Sequence, residues 1–286
     1  MRLGLVSVKH NVLYDFLNNR EGVSFNREEA KKLQKEMTDQ LLENMEQALT
    51  KKCDVLVTPE CGNYCGDPKW LHGEYQEYYE IVEQERLLLH VRKLAKRYNS
   101  YIFFAMVLKR RDKEGIYLTN SCVVIDSKGE IVDIYDKIHL AGEEKVIFRA
   151  GERIGVISTP FGKIGVCICW DMQIPETARL MTLEGARLLV CPTWGWEEIY
   201  GHARAYENGV FVASAMAVPA WGDIDAKHSS AERTPSEIIA PWGEVIIRGS
   251  RRDAGYIIGT IRLEDAEPFR EARMCARKPQ LYGGLS

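Results

Sequence analysis

Several stretches of this chain are apolar on both alternating faces. YIFFAMVL at 101–108, RLLVCPT at 187–193 and VFVASAMAV at 210–218 stand out, and CDVLVTPE at 53–60 reads as a short buried strand. A strand with one wet face alternates apolar and polar residues, whereas these need cover on both sides. The cover is present in the sequence. The segment 26–49 sets Ala30, Leu33, Met37, Leu41, Met45 and Ala48 or Leu49 at helical spacing, and Asn26 with Glu29 three residues on forms an N-cap and capping-box pair. A second helix over about 75–98 turns Ile81, Val82, Leu88, Val91, Leu94 and Ala95 inward. RLGLVSV near the N-terminus reads as another strand. NSCVVID, the turn SKGE and IVDIYDKIHL form a hairpin whose second strand ends near Lys137. After a Gly-bearing loop come GKIGVCIC, a helix opened by Pro175 and Glu176, RLLVCPT, a helix around 197–208, and the late strands SEIIA, EVIIRG and YIIGTIRL. Mixed βα units and hairpins with doubly buried strands predict an α/β layered sandwich.

With 286 residues, 45% of them hydrophobic, the chain supplies one large core, and a single domain over 1–286 is expected. A formal net charge of −3 with both signs dispersed offers no basic surface for nucleic acid or membrane. Residues 1–9 lack an apolar leader core and no later run approaches a membrane span, so the expected setting is the cytoplasm. Eight scattered cysteines fit reduced thiols rather than a secreted disulfide framework. The expected partner is a small molecule or another subunit.

Three reactive residues end three strands: Glu60 closes CDVLVTPE, Lys137 closes IVDIYDK, and Cys169 ends GKIGVCIC at a corner leading into Pro175-Glu176. In layered α/β folds, sites form beyond the carboxyl ends of strands. A thiol beside an ammonium and a carboxylate has what acyl transfer needs. The carboxylate moves protons, and the ammonium, with the backbone N–H of Trp170, binds an oxyanion.

TPECG, YDKIHL and CICWDMQIPE together resemble the three catalytic blocks of the nitrilase superfamily, the carbon–nitrogen hydrolases. EEKVIFRAGE, HARAYENGVFVASA, PSEIIAPWGEV and RKPQLYGGL extend the resemblance over nearly the whole chain. It implies a four-layer αββα sandwich with no metal or organic cofactor, and at least a homodimer joined through helices near the cysteine block. It assigns Glu60 as general base, Lys137 as oxyanion and orienting residue, and Cys169 as nucleophile. It also implies a second glutamate that positions substrate, matched best by Glu144, with Glu143 as its neighbour.

Trp170-Asp171 after the cysteine resembles the amidase and carbamoylase branches rather than the Trp-Glu of nitrilases. Hydrolysis of a small amide or N-carbamoyl amine through a thioester is therefore expected, with a nitrilase or a catalytically silent binding member as alternatives. Met172 and Gln173 stand where carbamoyl-amino-acid hydrolases often carry an arginine, which argues against a carboxylate anchored there. Trp170, Asp171 and Trp194 are expected to bind substrate, with Trp194, Trp170 and Trp196 walling the pocket. His139 reads as structural and Arg204–Glu207 as a surface or interface pair. Cys61 and Cys65 are spaced like half of a metal site but have no second pair. Cys167 is expected to face the same side as Cys169.

Overall fold

The computed structural model describes residues 1–9, 26–63, 84–142, 144–195, 198–218 and 234–283. Its strands form two six-stranded sheets among the described residues. The first runs β12 (Gly255–Thr260), β1 (Arg2–Ser7), β2 (Val55–Val57), β3 (Tyr101–Asp112), β4 (Gly115–Ile125), β5 (Ile131–Asp136). The second runs β11 (Val245–Arg248), β10 (Glu237–Ile239), β9 (Phe211–Met216), β8 (Leu188–Thr193), β7 (Gly162–Val166), β6 (Gly155–Thr159).

β1, β2 and β3 are parallel, as are β7, β8 and β9, so each sheet aims three strand ends the same way. The expected hairpin is present. β3 pairs with β4 from Ile102↔Ile125 to Asp112↔Gly115, and β4 pairs with β5 through Ser121↔Asp136, which returns β5 to the direction of β3.

Three apolar layers separate the elements. α1 (Arg27–Thr50) and α2 (Gln84–Tyr98) cover the outer face of the first sheet. The two sheets share a core in which Leu3, Leu5, Val57, Phe103 and Val124 meet Ile164, Val166, Val190 and Ala213. α4 (Pro175–Leu183) and α5 (Glu198–Asn208) close the far side over Met181, Leu189, Ala205 and Val212. Both sheets are thus covered on both faces, which is why their central strands lack polar alternation. The order is helices, sheet, sheet, helices, the expected αββα sandwich. Truncating a wholly buried inter-sheet residue such as Phe103 to Ala would cost about 3–5 kcal/mol.

Asn26 caps α1 as expected, its side-chain oxygen accepting from the Glu28 and Glu29 N–H groups at 3.0 and 3.1 Å. Residues 75–83 of the second predicted helix, with Ile81 and Val82, lie outside the described residues. Three elements differ from the sequence reading. Residues 144–147, expected as loop, form the short helix α3. Residues 267–275, unassigned from sequence, form α6. The strand carrying Cys169 ends at Val166, and residues 169–173 coil into a 3-10 turn.

Candidate active site

β2 delivers Glu60. The Thr58 N–H reaches the Phe103 carbonyl at 3.1 Å and the Ala105 N–H donates to Thr58 Oγ1 at 3.0 Å, so the chain leaves the sheet under control. Cys61 follows in the left-handed region at φ 53°. At Gly62, whose N–H donates to the Ala105 carbonyl at 2.7 Å, an added Cβ would lie 2.9 Å from that same oxygen.

Lys137 sits one residue past β5. Its N–H donates to the Asn120 carbonyl at 2.8 Å and its own carbonyl accepts from Gly151 N–H at 2.9 Å. Gly151 is required there, because a Cβ would fall 2.2 Å from the Asp136 carbonyl. Asp136, the neighbour of Lys137 in sequence, is held by Arg110 through two 2.9 Å hydrogen bonds.

Glu60, Lys137 and Glu144 are buried together. Lys137 Nζ donates to Glu60 Oε1 and Glu144 Oε1, both at 2.9 Å, and lies 2.8 Å from Glu144 Oε2. The Trp194 N–H donates to Glu60 Oε2 at 2.8 Å, and the Ala141 N–H to Glu144 Oε2 at 2.6 Å. Desolvation works against the Lys137 ammonium, but the charges of Glu60, Cys169 and Glu144 hold its pKa well above the usual lysine value. Burial raises the Glu144 carboxyl against the lowering effect of Lys137.

Cys169 is half-buried at the head of the 3-10 turn with φ 44°, a conformation that costs a non-glycine residue on the order of 1–3 kcal/mol and has to be held by its surroundings. Its thiol points to the Gly195 carbonyl at 3.8 Å. Burial, then the Glu60 charge, push the thiol up to about 12 despite the opposing Lys137, and Glu144 adds a smaller rise. At rest it is therefore a protonated thiol in electrostatic contact with all three charged groups, and attack requires a base.

The turn is fastened by Asp171, which is fully buried. Its carboxylate accepts from Tyr135 OH at 2.7 Å, His139 N–H at 2.8 Å and Ile168 N–H at 2.9 Å, with His139 Nδ1 2.9 Å away. Asp171, expected among the substrate-binding residues, thus has both carboxylate oxygens engaged by the protein. Arg204 belongs to the same scaffold rather than to a surface pair. It is buried and donates to the Met172 and Gln173 carbonyls at 2.9 and 2.8 Å while pairing with Glu207 at 3.1 Å.

Trp170 is 40% exposed beside the thiol, and Trp194 contributes its backbone N–H. Cys167 departs from expectation. It packs on the helix side with Met172 and Met181, whereas Cys169 packs toward the inter-sheet core, because alternation stops where β7 ends. Glu143, Cys65 and Trp196 lie outside the described residues. One group among the described residues, Glu198, His202 and Glu237, brings potential metal-ligand atoms within 4.8 Å of one another, but Arg248 ion-pairs with both glutamates.

Sequence reading missed Asn120. Its Nδ2 donates to Glu60 Oε1 at 2.8 Å and Glu144 Oε1 at 3.2 Å. The available signal was the polar triplet Thr119-Asn120-Ser121 inside a strand, all three buried.

An αββα sandwich that gathers a thiol, an ammonium and two carboxylates at one end of its sheets is the architecture of an acyl-transfer hydrolase. Residues 30–271 match the family model described as Carbon-nitrogen hydrolase, and the chain belongs to that family. It is 33% identical over 236 residues to a probable nitrilase of Schizosaccharomyces pombe, covering 79% of this chain and 80% of that one. It is 31% identical over 244 residues to an omega-amidase of Xenopus tropicalis, with 79% and 83% covered. A carbon-nitrogen hydrolase structure from Helicobacter pylori superposes with TM-score 0.76 at 22% identity, over 100% of this chain and 98% of that one. The protein is a carbon–nitrogen hydrolase.

Proposed function

We propose that the protein hydrolyses a small amide through a Cys169 thioester. The observation that supports this most is the buried Lys137 ammonium held between Glu60 and Glu144, with the Cys169 thiol feeling all three charges. Glu60 takes the thiol proton as sulfur attacks the carbonyl carbon. The oxygen that becomes negative is met by Lys137 and the Trp170 N–H. Collapse of the tetrahedral adduct breaks the C–N bond, and the proton held by Glu60 leaves with the amine. Glu60 then takes a proton from water, which attacks the thioester, and returns it to sulfur as the acid departs. Glu144 orients Lys137 and the incoming amide.

The Trp-Asp sequence after Cys169 and the omega-amidase among the relatives both favour an amide over a nitrile. The cluster carries two carboxylates against one ammonium, and Arg204 is committed to the Met172 and Gln173 carbonyls. We therefore assign a neutral or amine-bearing acyl group rather than an acidic one. We further propose that the whole chain acts as one hydrolase unit in the reducing cytoplasm, where its seven described free cysteines stay reduced, and pairs with a second copy. Exposed Leu180, Leu183, Ile199 and Tyr206 on α4 and α5 support that pairing.

The test is ammonia release from a panel of amides, ureas and N-carbamoyl amines, with matching nitriles in parallel and Cys169→Ala as blank. Amide turnover by the wild type and none by the variant is expected. Turnover surviving in Cys169→Ala, or confined to nitriles, would overturn the reading.

A further inference from the structure

We infer that Asn120 is a positioning residue that selects Oε2 of Glu60 as the oxygen exchanging protons with the thiol, leaving group and water. This inference rests on the amidohydrolase reading of the same site. Glu60 Oε1 already accepts two hydrogen bonds, from Lys137 Nζ at 2.9 Å and Asn120 Nδ2 at 2.8 Å, which fills its two lone-pair directions. Among the described residues Oε2 accepts one, from the Trp194 N–H at 2.8 Å, and retains a lone pair. A proton taken from Cys169 therefore goes to Oε2.

The second Asn120 N–H reaches Glu144 Oε1 at 3.2 Å, so one amide group spans the same two oxygens as the lysine. The amide orientation is dictated by chemistry, because turning it over would set its oxygen against two carboxylate oxygens. With both glutamates tied to one side of Lys137, its three N–H groups divide into one for Glu60, one shared by the two oxygens of Glu144, and one left for the oxyanion. Asn120 also receives the Lys137 N–H on its own carbonyl at 2.8 Å, so it fixes the main chain of the lysine as well as the partners of its ammonium. Its Oδ1 is buried without a partner among the described residues, which marks a side chain placed for its donors.

Asn120 touches no reacting atom in this scheme; it acts through Glu60 and Lys137. Removing its donors leaves Glu60 held by Lys137 and the Trp194 N–H alone, opens Oε1 to a proton, and disfavours the charged form of both carboxylates. The experiment compares wild type, Asn120→Ala and Asn120→Asp by the pH dependence of kcat/KM on an amide the wild type hydrolyses. It also follows the pH dependence of Cys169 alkylation by iodoacetamide, with circular dichroism and thermal melts alongside. In Asn120→Ala we expect kcat to fall roughly 10- to 100-fold, from the loss of a hydrogen bond to a charged group, with KM nearly unchanged. The acid limb of the profile should move up by about one pH unit. Asn120→Asp, which adds a third carboxylate, should move it further. If Asn120→Ala does not fold, Asn120→Leu, which keeps the volume and removes both donors, serves in the same comparison.

A folded variant that keeps the wild-type acid limb overturns the inference, whether or not kcat falls, because a purely structural role lowers stability without moving that limb. The alkylation profile needs no substrate. Were the wild type to hydrolyse no amide while the alkylation inflection still moved in the variants, the amidohydrolase reading would fail and the role of Asn120 would stand.

Discussion

The Tyr135 hydroxyl donates to Asp171 Oδ2 across 2.7 Å, joining the strand that delivers Lys137 to the turn that carries Cys169. Tyr135 is wholly buried, and burial followed by the Asp171 charge holds its phenol well above the usual tyrosine value, so it remains a donor. Because the same carboxylate also accepts from Ile168 and His139, it ties both halves of the site into one rigid piece. Asp171→Asn would turn an NH2 group toward some of these donors. It should lower unfolding stability by about 3 kcal/mol or more, while Tyr135→Phe, which removes one donor, should cost about 1.5–3 kcal/mol. Urea titration of both variants checks the order, and an Asp171→Asn protein as stable as wild type would remove the anchoring role.

The resting state of the nucleophile leads to a less obvious expectation. Burial and Glu60 together push the Cys169 thiol up to about 12, so the Glu60 carboxylate, the proposed base, also suppresses the free thiolate. Glu60→Gln removes that negative charge while leaving the Lys137 ammonium in place. Amide turnover should drop by at least about 10²-fold, the scale of a lost general base. Iodoacetamide alkylation at pH 9, which consumes thiolate directly, should become faster than in wild type because the thiol titrates lower. Alkylation that slows in step with turnover would mean that Glu60 does not raise the thiol.

Much of this arrangement is legible in the sequence, and the remainder fails for identifiable reasons. Glu60 follows a wholly buried apolar run and Lys137 ends the second strand of a hairpin marked by its turn, so their positions follow from the pattern. Alternation stops informing where β7 ends. Cys169 at φ 44° turns the chain, which is why Cys167 and Cys169 part company. Asp171 and Arg204 are committed to Tyr135, His139, Met172 and Gln173 across 31 to 36 residues of chain, which has no local signature. Asn120 lies mid-strand, where a polar residue normally faces water. Its role depends on Glu60 and Glu144 arriving 60 and 24 residues away in sequence. Glu144 is legible only through its sequence block. The single turn α3 that seats it over Lys137 is too short for periodicity to detect.

Association through the α4–α5 side can be probed without touching the chemistry. Leu180 and Leu183 are 44% and 40% exposed, and Tyr206 is 58% exposed. A Leu180→Glu, Leu183→Glu pair places charge on that face without disturbing Ala178 and Met181, which point inward on the same helix. Light scattering should give a dimer or larger assembly for wild type and a smaller species for the double variant. Thermal unfolding of the variant should become independent of protein concentration. Identical masses for the two proteins would rule this face out as the contact.

Lys137 is the cation that the buried Glu60 and Glu144 share, which makes the pH dependence of its removal informative in sign. In Lys137→Met, Glu60 and Glu144 remain linked by Asn120 but lose the cation, leaving like charges in a dry pocket. At pH 8 this should cost about 3–5 kcal/mol, the usual consequence of stripping one partner from a buried ion pair. The folded variant can relieve the repulsion by binding a proton at a pH where unfolded glutamates remain ionised. Its folded carboxyls then hold more protons than the unfolded chain, so stability rises as pH falls, by up to about 1.4 kcal/mol per pH unit for each proton taken up. Glu144, already raised by burial with the lysine present, is the group expected to take it. Urea unfolding at pH 8 and pH 5.5 should show the variant recovering much of its deficit at the lower pH, with no comparable gain in wild type. Equal destabilisation at both values would mean that the two carboxylates do not depend on Lys137 for their charge.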